Sequence, residues 1–261
     1  MDTNSLKGTL NPLDIYRNNK YLREFRKAHP YYFDPIGTCI FCGSQGQGKT
    51  LSAVKYVCSV LDEYPYCILV TNVAIKDHPF NATYKVDKKG NVHLYWLKTG
   101  EEINEFPRKD IVIEYDGLDC LKYICNGFYG VIFLIDELHL ELNSLESKNI
   151  DIDVMTEISQ QRKQRKHIVG TSQVYMRLAK PLREQIFDVV ECHHYKTFHL
   201  QYNKLLDGEE SVEKDGKLET VVRKRYFWIA TQQDYTRYDT FAKMKRYNKE
   251  WNGHRRDVPT H

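Results

Sequence analysis

The stretch Gly43-Ser44-Gln45-Gly46-Gln47-Gly48-Lys49-Thr50 decides the fold of this chain of 261 residues. It matches the phosphate-binding pattern G-x-x-x-x-G-K-[ST] at every fixed position. Its glycines allow backbone N–H groups to curl around phosphate oxygens, because no Cβ stands in the way. The pattern predicts that Lys49 reaches the β- and γ-phosphates and that the Thr50 hydroxyl is a ligand of Mg²⁺. All eight residues are therefore predicted to bind a nucleoside triphosphate.

The residues around this loop supply the context that the pattern needs. Residues 37–42 before it are typical of a short buried strand, and residues 51–61 after it carry apolar side chains at helical spacing. A strand, a glycine loop and a helix place bound phosphates at the helix N-terminus, where free N–H groups and the helix dipole favour an anion. The alternative, a glycine-rich turn that binds nothing, is disfavoured by this context.

An acidic pair follows the most apolar run of the chain. Residues 131–135 are Val-Ile-Phe-Leu-Ile, typical of a central parallel strand, and Asp136 and Glu137 come directly after them. We expect Asp136 to complete the Mg²⁺ shell with Thr50, because the carboxyl end of such a strand faces the nucleotide. Glu137 is predicted to orient and polarise the attacking water. The alternative is an acidic pair at a helix N-terminus, which the helix dipole also favours.

Polar and basic side chains flank another predicted strand, residues 167–172. Gln173 follows it, at the edge that faces the nucleotide crevice, where an amide can sense the γ-phosphate. Arg162 and Arg165 precede it, and either can reach into a neighbouring subunit's site as an arginine finger. A plain loop glutamine and a solvated basic helix end are the alternatives.

The remaining pattern predicts an α/β protein with a mostly parallel central sheet, helices on both faces and antiparallel hairpin additions. Helices are predicted over residues 12–29, 116–125, 151–165 and 232–250, and further strands over 67–72 and 111–113. Hairpins are predicted over 82–98, as an insertion, and between 193–203 and 218–229, in an antiparallel section that begins at residue 188. We divide the chain into an N-terminal helical extension (1–36), the core (37–192) and a C-terminal hairpin with a basic helical tail (193–261).

Composition limits the class of protein. Hydrophobic residues make up 41% of the chain, which is enough for a sizeable core. No apolar run reaches the roughly 18 residues that predict a transmembrane helix. The N-terminus lacks the basic and apolar segments of a secretory signal, and the seven cysteines lack regular spacing. Both features favour a reducing compartment, so we expect a cytoplasmic protein.

The net charge is only +3, but basic residues cluster. Residues 162–167 and 223–225 are basic runs. The tail interleaves basic with aromatic residues: Lys243, Lys245, Arg246, Tyr247, Lys249, Trp251, Arg255 and Arg256. Basic and aromatic side chains together suit phosphate backbones and stacked bases, so DNA, single- or double-stranded, is an expected partner. An ordinary solvated surface is the alternative.

Taken together, the motifs resemble the FtsK–HerA superfamily of motor ATPases. Within it they are most similar to the zonular occludens toxin (Zot) family, which includes the assembly ATPases of filamentous phages. The resemblance covers residues 37–192. It is carried by the glycine loop, by Leu69-Val70-Thr71-Asn72-Val73, by the run from Phe133 to His139, and by the segment from Gln160 to Gln173 with Leu182-Arg183 after it.

The resemblance implies a RecA-like sheet in an Mg²⁺-dependent ATPase that self-associates into a ring and translocates, packages or exports DNA. It also implies ATP as the nucleotide and Arg162 as the arginine that relatives use in trans. Many Zot-like proteins carry a transmembrane helix after the ATPase domain. None is visible here, so a portal, channel or membrane partner is an expected docking point. Two other classes stay open: a nucleotide-dependent phosphotransferase, and a nucleotide-binding switch or scaffold with little hydrolysis.

Overall fold

The computed structural model describes residues 12–35, 37–144, 152–208, 212–214, 217–219 and 221–238. The chain divides into two compact units, Met1–Tyr32 and Phe33–His261. The described part of the first unit is a helix followed by a short turn. Helix α1 (Pro12–Ala28) confirms the helix predicted over 12–29. Within this unit the ring of Phe25 packs edge-on against Tyr32, with centroids 4.9 Å apart.

The second unit is built on a sheet of ten described strands. The strands among the described residues are Gly37–Cys42 (β1), Ile68–Thr71 (β2), Ala82–Val86 (β3), Val92–Trp96 (β4), Val112–Glu114 (β5), Val131–Ile135 (β6), Lys166–Ser172 (β7), Ile186–Tyr195 (β8), Leu200–Asp207 (β9), Val212–Lys214 (β10), Lys217–Glu219 (β11) and Val222–Ile229 (β12). The other α-helices that the structure describes are Lys49–Glu63 (α2), Cys120–Tyr123 (α3), Ile152–Gln160 (α4), Lys180–Arg183 (α5) and Gln232–Thr236 (α6).

The strand order is β12-β9-β8-β1-β7-β6-β2-β5-β3-β4, with β10 and β11 paired separately. Strands β8, β1, β7, β6, β2, β5 and β3 run parallel, while β4, β9 and β12 are antiparallel to their neighbours. Strand β7 therefore lies between β1, which leads into the glycine loop, and β6, which leads into the acidic pair. The ends of β1, β7 and β6 meet at one edge, so the predicted site residues converge there.

Helices cover both faces of the sheet, as predicted. One apolar layer joins α2 residues such as Val54 and Val57 to the alternate side chains of β1, represented by Phe41. The other joins Ile40 and the opposite side chains of the sheet to Leu121 of α3 and Ile158 of α4. The central strands β1, β2, β6 and β7 are buried at every position. This burial explains why β6 is a continuous apolar run instead of an alternating one. The buried Lys166 and His167 of β7 have hydrogen-bond partners instead. The fold is thus an α/β RecA-like P-loop fold.

Two predicted helices are shorter in the structure. The helix predicted over 151–165 ends at Gln160, and residues 161–165 form turns instead. Arg165 has a left-handed backbone with φ 52°, and the N–H of Lys166 donates to the carbonyl of Gln161 at 2.9 Å. That bond closes the turn that redirects the chain into β7. The helix predicted over 116–125 is reduced to α3, which follows a turn at Gly117.

The antiparallel section joins the main sheet. Strand β9 pairs with β12, as predicted for residues 200–203, and it also pairs with β8 along its whole length. The single strand predicted over 193–203 is wrong, because residues 193–195 belong to β8 and a turn at residues 196–198 separates them from β9. Strand β8 runs through residues 192 and 193, where we placed a boundary between two parts of the chain. The predicted hairpin over 82–98 is present as β3 and β4. The helix predicted over 232–250 is shorter in the structure: α6 ends at Thr236, and Tyr238 forms an isolated β-bridge with Ile75. The basic tail from residue 239 onward lies outside the described residues.

Candidate nucleotide site

The glycine loop forms a backbone cradle between β1 and α2. Gly46 and Gly48 have positive φ angles of 80° and 74°, which residues with a Cβ rarely adopt. A Cβ on Gly43 would lie 2.8 Å from the carbonyl oxygen of Cys192, so neighbouring backbone leaves room for hydrogen only. Helix α2 begins at Lys49, and its first turn carries no acidic residue that would compete with an anion. The loop therefore has the shape and the polarity for a phosphate group.

The side chain of Lys49 is held at this cradle. It is only 6% exposed, and its Nζ donates to the carbonyl of Ser44 at 3.4 Å, across the loop. This long bond keeps the ammonium group over the cradle, where it can exchange the carbonyl for phosphate oxygens. Ser44, Gln45 and Gln47 complete the loop. The side chain of Gln47 accepts from the N–H of His194 in β8, and its backbone carbonyl accepts from the side chain of Gln201 in β9.

Three oxygen-bearing side chains meet beside the loop. The hydroxyl of Thr50 donates to Asp136 Oδ1 at 2.8 Å, and the hydroxyl of Thr171 donates to the same oxygen at 2.6 Å. A hydroxyl and a carboxylate are hard oxygen donors of the kind that Mg²⁺ prefers. The predicted partners Thr50 and Asp136 are thus brought together, and this donor set fits the ion. Thr171 was not among the predicted site residues, although it is the penultimate residue of a predicted strand.

Asn72 fixes the position of Asp136. The Asn72 side chain donates to the carbonyl of Asp136 at 3.1 Å and accepts from the N–H of Asp136 at 2.8 Å. These two bonds tie the end of β2 to the end of β6. The resemblance included the Thr71-Asn72 pair without giving it a role, and the structure supplies one.

Glu137 turns sharply away from β6. Its backbone is left-handed, with φ 53° and ψ 42°, and its N–H donates to Thr171 Oγ1 at 2.8 Å. Burial raises the pKa of its carboxyl group, and the neighbouring charge of Asp136 raises it further. Three groups lower this pKa: the charge of Lys49, a hydrogen bond from Gln173, and the charge of Arg177. Glu137 is therefore close enough to the cradle to interact with the lysine that is predicted to bind phosphate.

His139 is a neighbour of Glu137 that sequence reasoning missed. It is buried, and burial is the main cause that lowers its pKa. Its Nδ1 lies 3.2 Å from Glu137 Oε2, but the two atoms are not aligned for a hydrogen bond, and neither atom has a hydrogen-bond partner among the described residues. A buried histidine two residues after the acidic pair gives no periodic signal in the sequence, so only the left-handed turn at Glu137 reveals the contact.

Gln173 joins this group from the end of β7. Strand β1 ends opposite β7, with Cys42 paired to Ser172, so Gln173 follows at the level of the glycine loop. Its Oε1 accepts from Arg177 Nη1 at 3.5 Å, and its amide is one of the groups that lower the pKa of Glu137. Arg177 is exposed and was not among the predicted site residues. Gln173 and Arg177 therefore lie in the same group of polar side chains as Glu137.

The two arginines considered as trans-acting fingers lie elsewhere. Arg162 and Arg165 are in the turns that precede β7, at the opposite edge of the parallel sheet from Gln173. Arg162 is exposed, whereas the guanidinium of Arg165 donates to the carbonyl of Phe33. The structure therefore does not bring either arginine to the site of its own chain.

The fold and the site define the class of this protein: an α/β P-loop protein whose loop strand and acidic-pair strand are separated by one further strand. No protein-family model matches the chain, and no curated protein matches it in sequence. Solved structures do match.

The N-terminal domain of zonular occludens toxin from Neisseria meningitidis is 15% identical, with a TM-score of 0.48 over 79% of this chain and 100% of that domain. The genome packaging NTPase B204 from Sulfolobus turreted icosahedral virus 2, in complex with ATP-gammaS, is 11% identical, with a TM-score of 0.45 over 72% of this chain and 97% of that one. The DNA-packaging ATPase B204 from Sulfolobus turreted icosahedral virus is 12% identical, with a TM-score of 0.41 over 71% and 97%. The first of these carries the name of the family that the sequence resembles.

Within the described residues, none of the helices combines the length and the apolar character that crossing a membrane requires.

Proposed function

We propose that this chain is an Mg²⁺-dependent ATPase that works as an oligomeric motor on DNA. The observation that carries the proposal is the 2.8 Å bond between Thr50 Oγ1 and Asp136 Oδ1, beside the glycine loop and the buried ammonium group of Lys49. The loop with its first helical turn and the end of β6 lie far apart in the chain. Their convergence supplies a phosphate cradle, a cation and a pair of hard oxygen donors in one place.

Each side chain has a distinct part in hydrolysis under this proposal. Bound Mg²⁺ would neutralise charge on the β- and γ-phosphate oxygens. Lys49 would hold those same oxygens, and the amides of residues 43–50 would surround them. Glu137 would orient the attacking water and accept its proton, which binding alone does not require. Gln173 would sense the γ-phosphate, because its amide already contacts Glu137.

The proposal for DNA and for a ring depends on the sequence resemblance and on two surface features. Lys224 and Arg225 are exposed on β12, which is an edge strand of the sheet, whereas Arg223 is paired with Asp207 and Asp188. Arg162 is exposed at the edge opposite Glu137, so any part it plays in hydrolysis requires the site of another subunit. We place the motor in the cytoplasm, docked on a portal, channel or membrane partner.

Two other classes make different predictions about turnover. A phosphotransferase would depend on an acceptor molecule and would gain little from a carboxylate beside the γ-phosphate. A switch or scaffold would bind nucleotide and hydrolyse it slowly with or without DNA. The position of Glu137 next to Lys49 and Gln173 favours hydrolysis over both.

The test is the rate of ATP hydrolysis with Mg²⁺, measured without DNA and with single- or double-stranded DNA. We expect DNA to stimulate the wild-type rate. We expect Glu137→Gln to lower kcat by at least about 100-fold, because it removes the general base, while ATP binding is retained. The exposed Glu184 at the end of α5 supplies a matched control, and Glu184→Gln should leave both quantities unchanged.

A wild-type rate that requires an acceptor would favour the phosphotransferase. A low rate unaffected by DNA would favour the switch. Unchanged turnover in Glu137→Gln would contradict the assignment of that residue.

A further inference from the structure

Two amide side chains of β9 are buried behind the glycine loop. Gln201 and Asn203 have no exposed surface. Gln201 Nε2 donates to the carbonyl of Gln47 at 3.1 Å and to Asn203 Oδ1 at 2.8 Å. Asn203 Nδ2 in turn donates to Ser52 Oγ at 3.1 Å, in the first turn of α2. A buried amide with every polar atom partnered is costly to disturb, so this arrangement fixes the loop and the helix start relative to β9.

Which groups can donate and which can only accept determines the remaining hydrogen bonds around Gln201. The carbonyl of Gln47 can only accept, so the NH₂ group of Gln201 must face the loop and Gln201 Oε1 must accept. His194 Nδ1 lies 3.1 Å from that oxygen and therefore carries the proton. His194 Nε2 is then an acceptor, and the hydroxyl of Tyr235 donates to it at 3.1 Å. With His194 neutral, every bond of this chain has one donor and one acceptor, and the chain extends from the glycine loop to Tyr235 of α6.

The same strands hold the loop at two further points. The N–H of His194 donates to Gln47 Oε1 at 2.9 Å, so both the backbone and the side chain of Gln47 are bonded to the β8–β9 pair. A Cβ placed on Gly48 would lie 2.1 Å from Gln201 Oε1. The amide therefore lies directly against the backbone that enters α2, and the glycine is needed there for this contact as well as for its positive φ.

We propose that Gln201 is a positioning residue of the nucleotide site: it holds the phosphate loop in its binding conformation before the nucleotide arrives. The inference depends on the nucleotide binding proposed above. Without the hydrogen bond from Gln201, the loop would have to become ordered when the nucleotide binds, and the entropy cost of that ordering lowers the affinity. The Gln201 side chain contacts the loop from the β9 side, and it affects ground-state and transition-state binding equally. Its loss should raise KM and Kd and leave kcat nearly unchanged.

The experiment compares two substitutions that are identical in chemistry and similar in burial. Gln201→Met removes the bonds to the loop at almost constant volume. Gln161→Met is the matched control, because Gln161 is also a buried amide, but its partner is Thr38 at the opposite end of β1. Binding of a fluorescent, non-hydrolysable ATP analogue with Mg²⁺ gives Kd by anisotropy, thermal melting gives stability, and steady-state ATP hydrolysis gives KM and kcat.

Both variants are expected to melt at a lower temperature than the wild type. Only Gln201→Met should raise Kd and KM, by about tenfold, with kcat changed by less than about twofold. If Gln201→Met does not fold, Tyr235→Phe is the test, since it removes the hydroxyl that donates to His194 Nε2 in the same network; about a threefold rise in Kd is expected from the loss of one hydrogen bond.

Equal Kd values for the wild type and the folded Gln201→Met protein, or equal effects of Gln201→Met and Gln161→Met, would overturn this inference and leave the proposed function intact. A wild-type protein that does not bind the analogue would instead overturn the proposed function itself.

Discussion

At the scale of single residues, the charge of Glu137 is set by the groups packed around it. Burial raises the pKa of its carboxyl group above 4.5, Asp136 adds to that rise, and Lys49, Gln173 and Arg177 oppose it. A general base must be ionised, so hydrolysis should fail as the pH falls through the raised pKa of Glu137. The acidic limb of the pH–rate profile therefore reports on the neighbours of this carboxylate.

Gln173→Leu should move that acidic limb to higher pH. The amide of Gln173 donates to the ionised carboxylate and lowers its pKa, so removing the amide lets the pKa rise further. Arg177→Gln should move the limb in the same direction, and less so at high salt, because Arg177 is exposed and its charge is screened. The measurement is kcat/KM for ATP at constant Mg²⁺ across the acidic range, since that ratio reports the pKa of the free protein, and a shift to lower pH in Gln173→Leu would contradict the contact.

At the scale of elements, His167 joins the phosphate-binding helix to the sheet. His167 lies on β7; its Nδ1 donates to the carbonyl of Gly37 at 2.9 Å, and its Nε2 accepts from the hydroxyl of Tyr56 on α2 at 2.9 Å. Both ring nitrogens are thus used by the neutral imidazole. Burial lowers the pKa of His167 to about 4.

This histidine should make the folded state sensitive to acid. The unfolded chain binds a proton at a pKa of 6.5, whereas the folded protein resists it down to about 4, so stability is lost as the pH falls below 6.5. Between about pH 7.5 and pH 5, the wild type should lose about 2 kcal/mol more unfolding free energy than His167→Gln. Urea denaturation of both proteins measures this, since the other histidines titrate alike in each. Parallel curves for the two proteins would show that His167 is not the cause.

The elements also show how far the sequence predicts the structure. Strands β1, β6 and β7 were predictable because each has consecutive apolar residues, as burial on both faces favours, and the glycine loop determined the order of strand, loop and helix around residue 43. The proximity of Thr50 and Asp136 was also predictable from these elements, because parallel strands bring their carboxyl ends to one edge of the sheet.

Contacts between distant segments were not predictable in the same way. Gln201 is 154 positions from Gln47, and nothing in the local pattern of β9 distinguishes an amide that braces a loop from one that faces solvent. The end of α4 at Gln160 was missed because no glycine or proline marks it, while the turn depends on the bond between Lys166 and Gln161. His139 reaches Glu137 through a left-handed turn, which has no signature for a non-glycine residue.

At the scale of the whole molecule, the parallel sheet separates two sets of charged residues. Lys49 and Glu137 follow the carboxyl ends of their strands, and Arg162 precedes the start of β7. A single subunit therefore presents its proposed catalytic carboxylate at one edge and the exposed Arg162 at the other. In a ring of head-to-tail subunits, such an arrangement allows one subunit to complete the site of the next.

Mixing experiments test whether Arg162 acts across subunits. Arg162→Ala and Glu137→Gln should each be nearly inactive alone, because an arginine finger contributes about 10³–10⁵ in rate and the base at least about 100-fold. In an equimolar mixture with random assembly, a site is intact when its own subunit has Glu137 and its neighbour has Arg162. About a quarter of wild-type activity should therefore return.

A mixture of Lys49→Ala with Glu137→Gln is the control, since both lesions affect the nucleotide-holding subunit and no intact site can form. Arg165→Ala should stay active, because Arg165 is engaged with Phe33. Failure of the first mixture to exceed the control, under conditions where the two variants co-assemble, would exclude Arg162 as the trans-acting arginine.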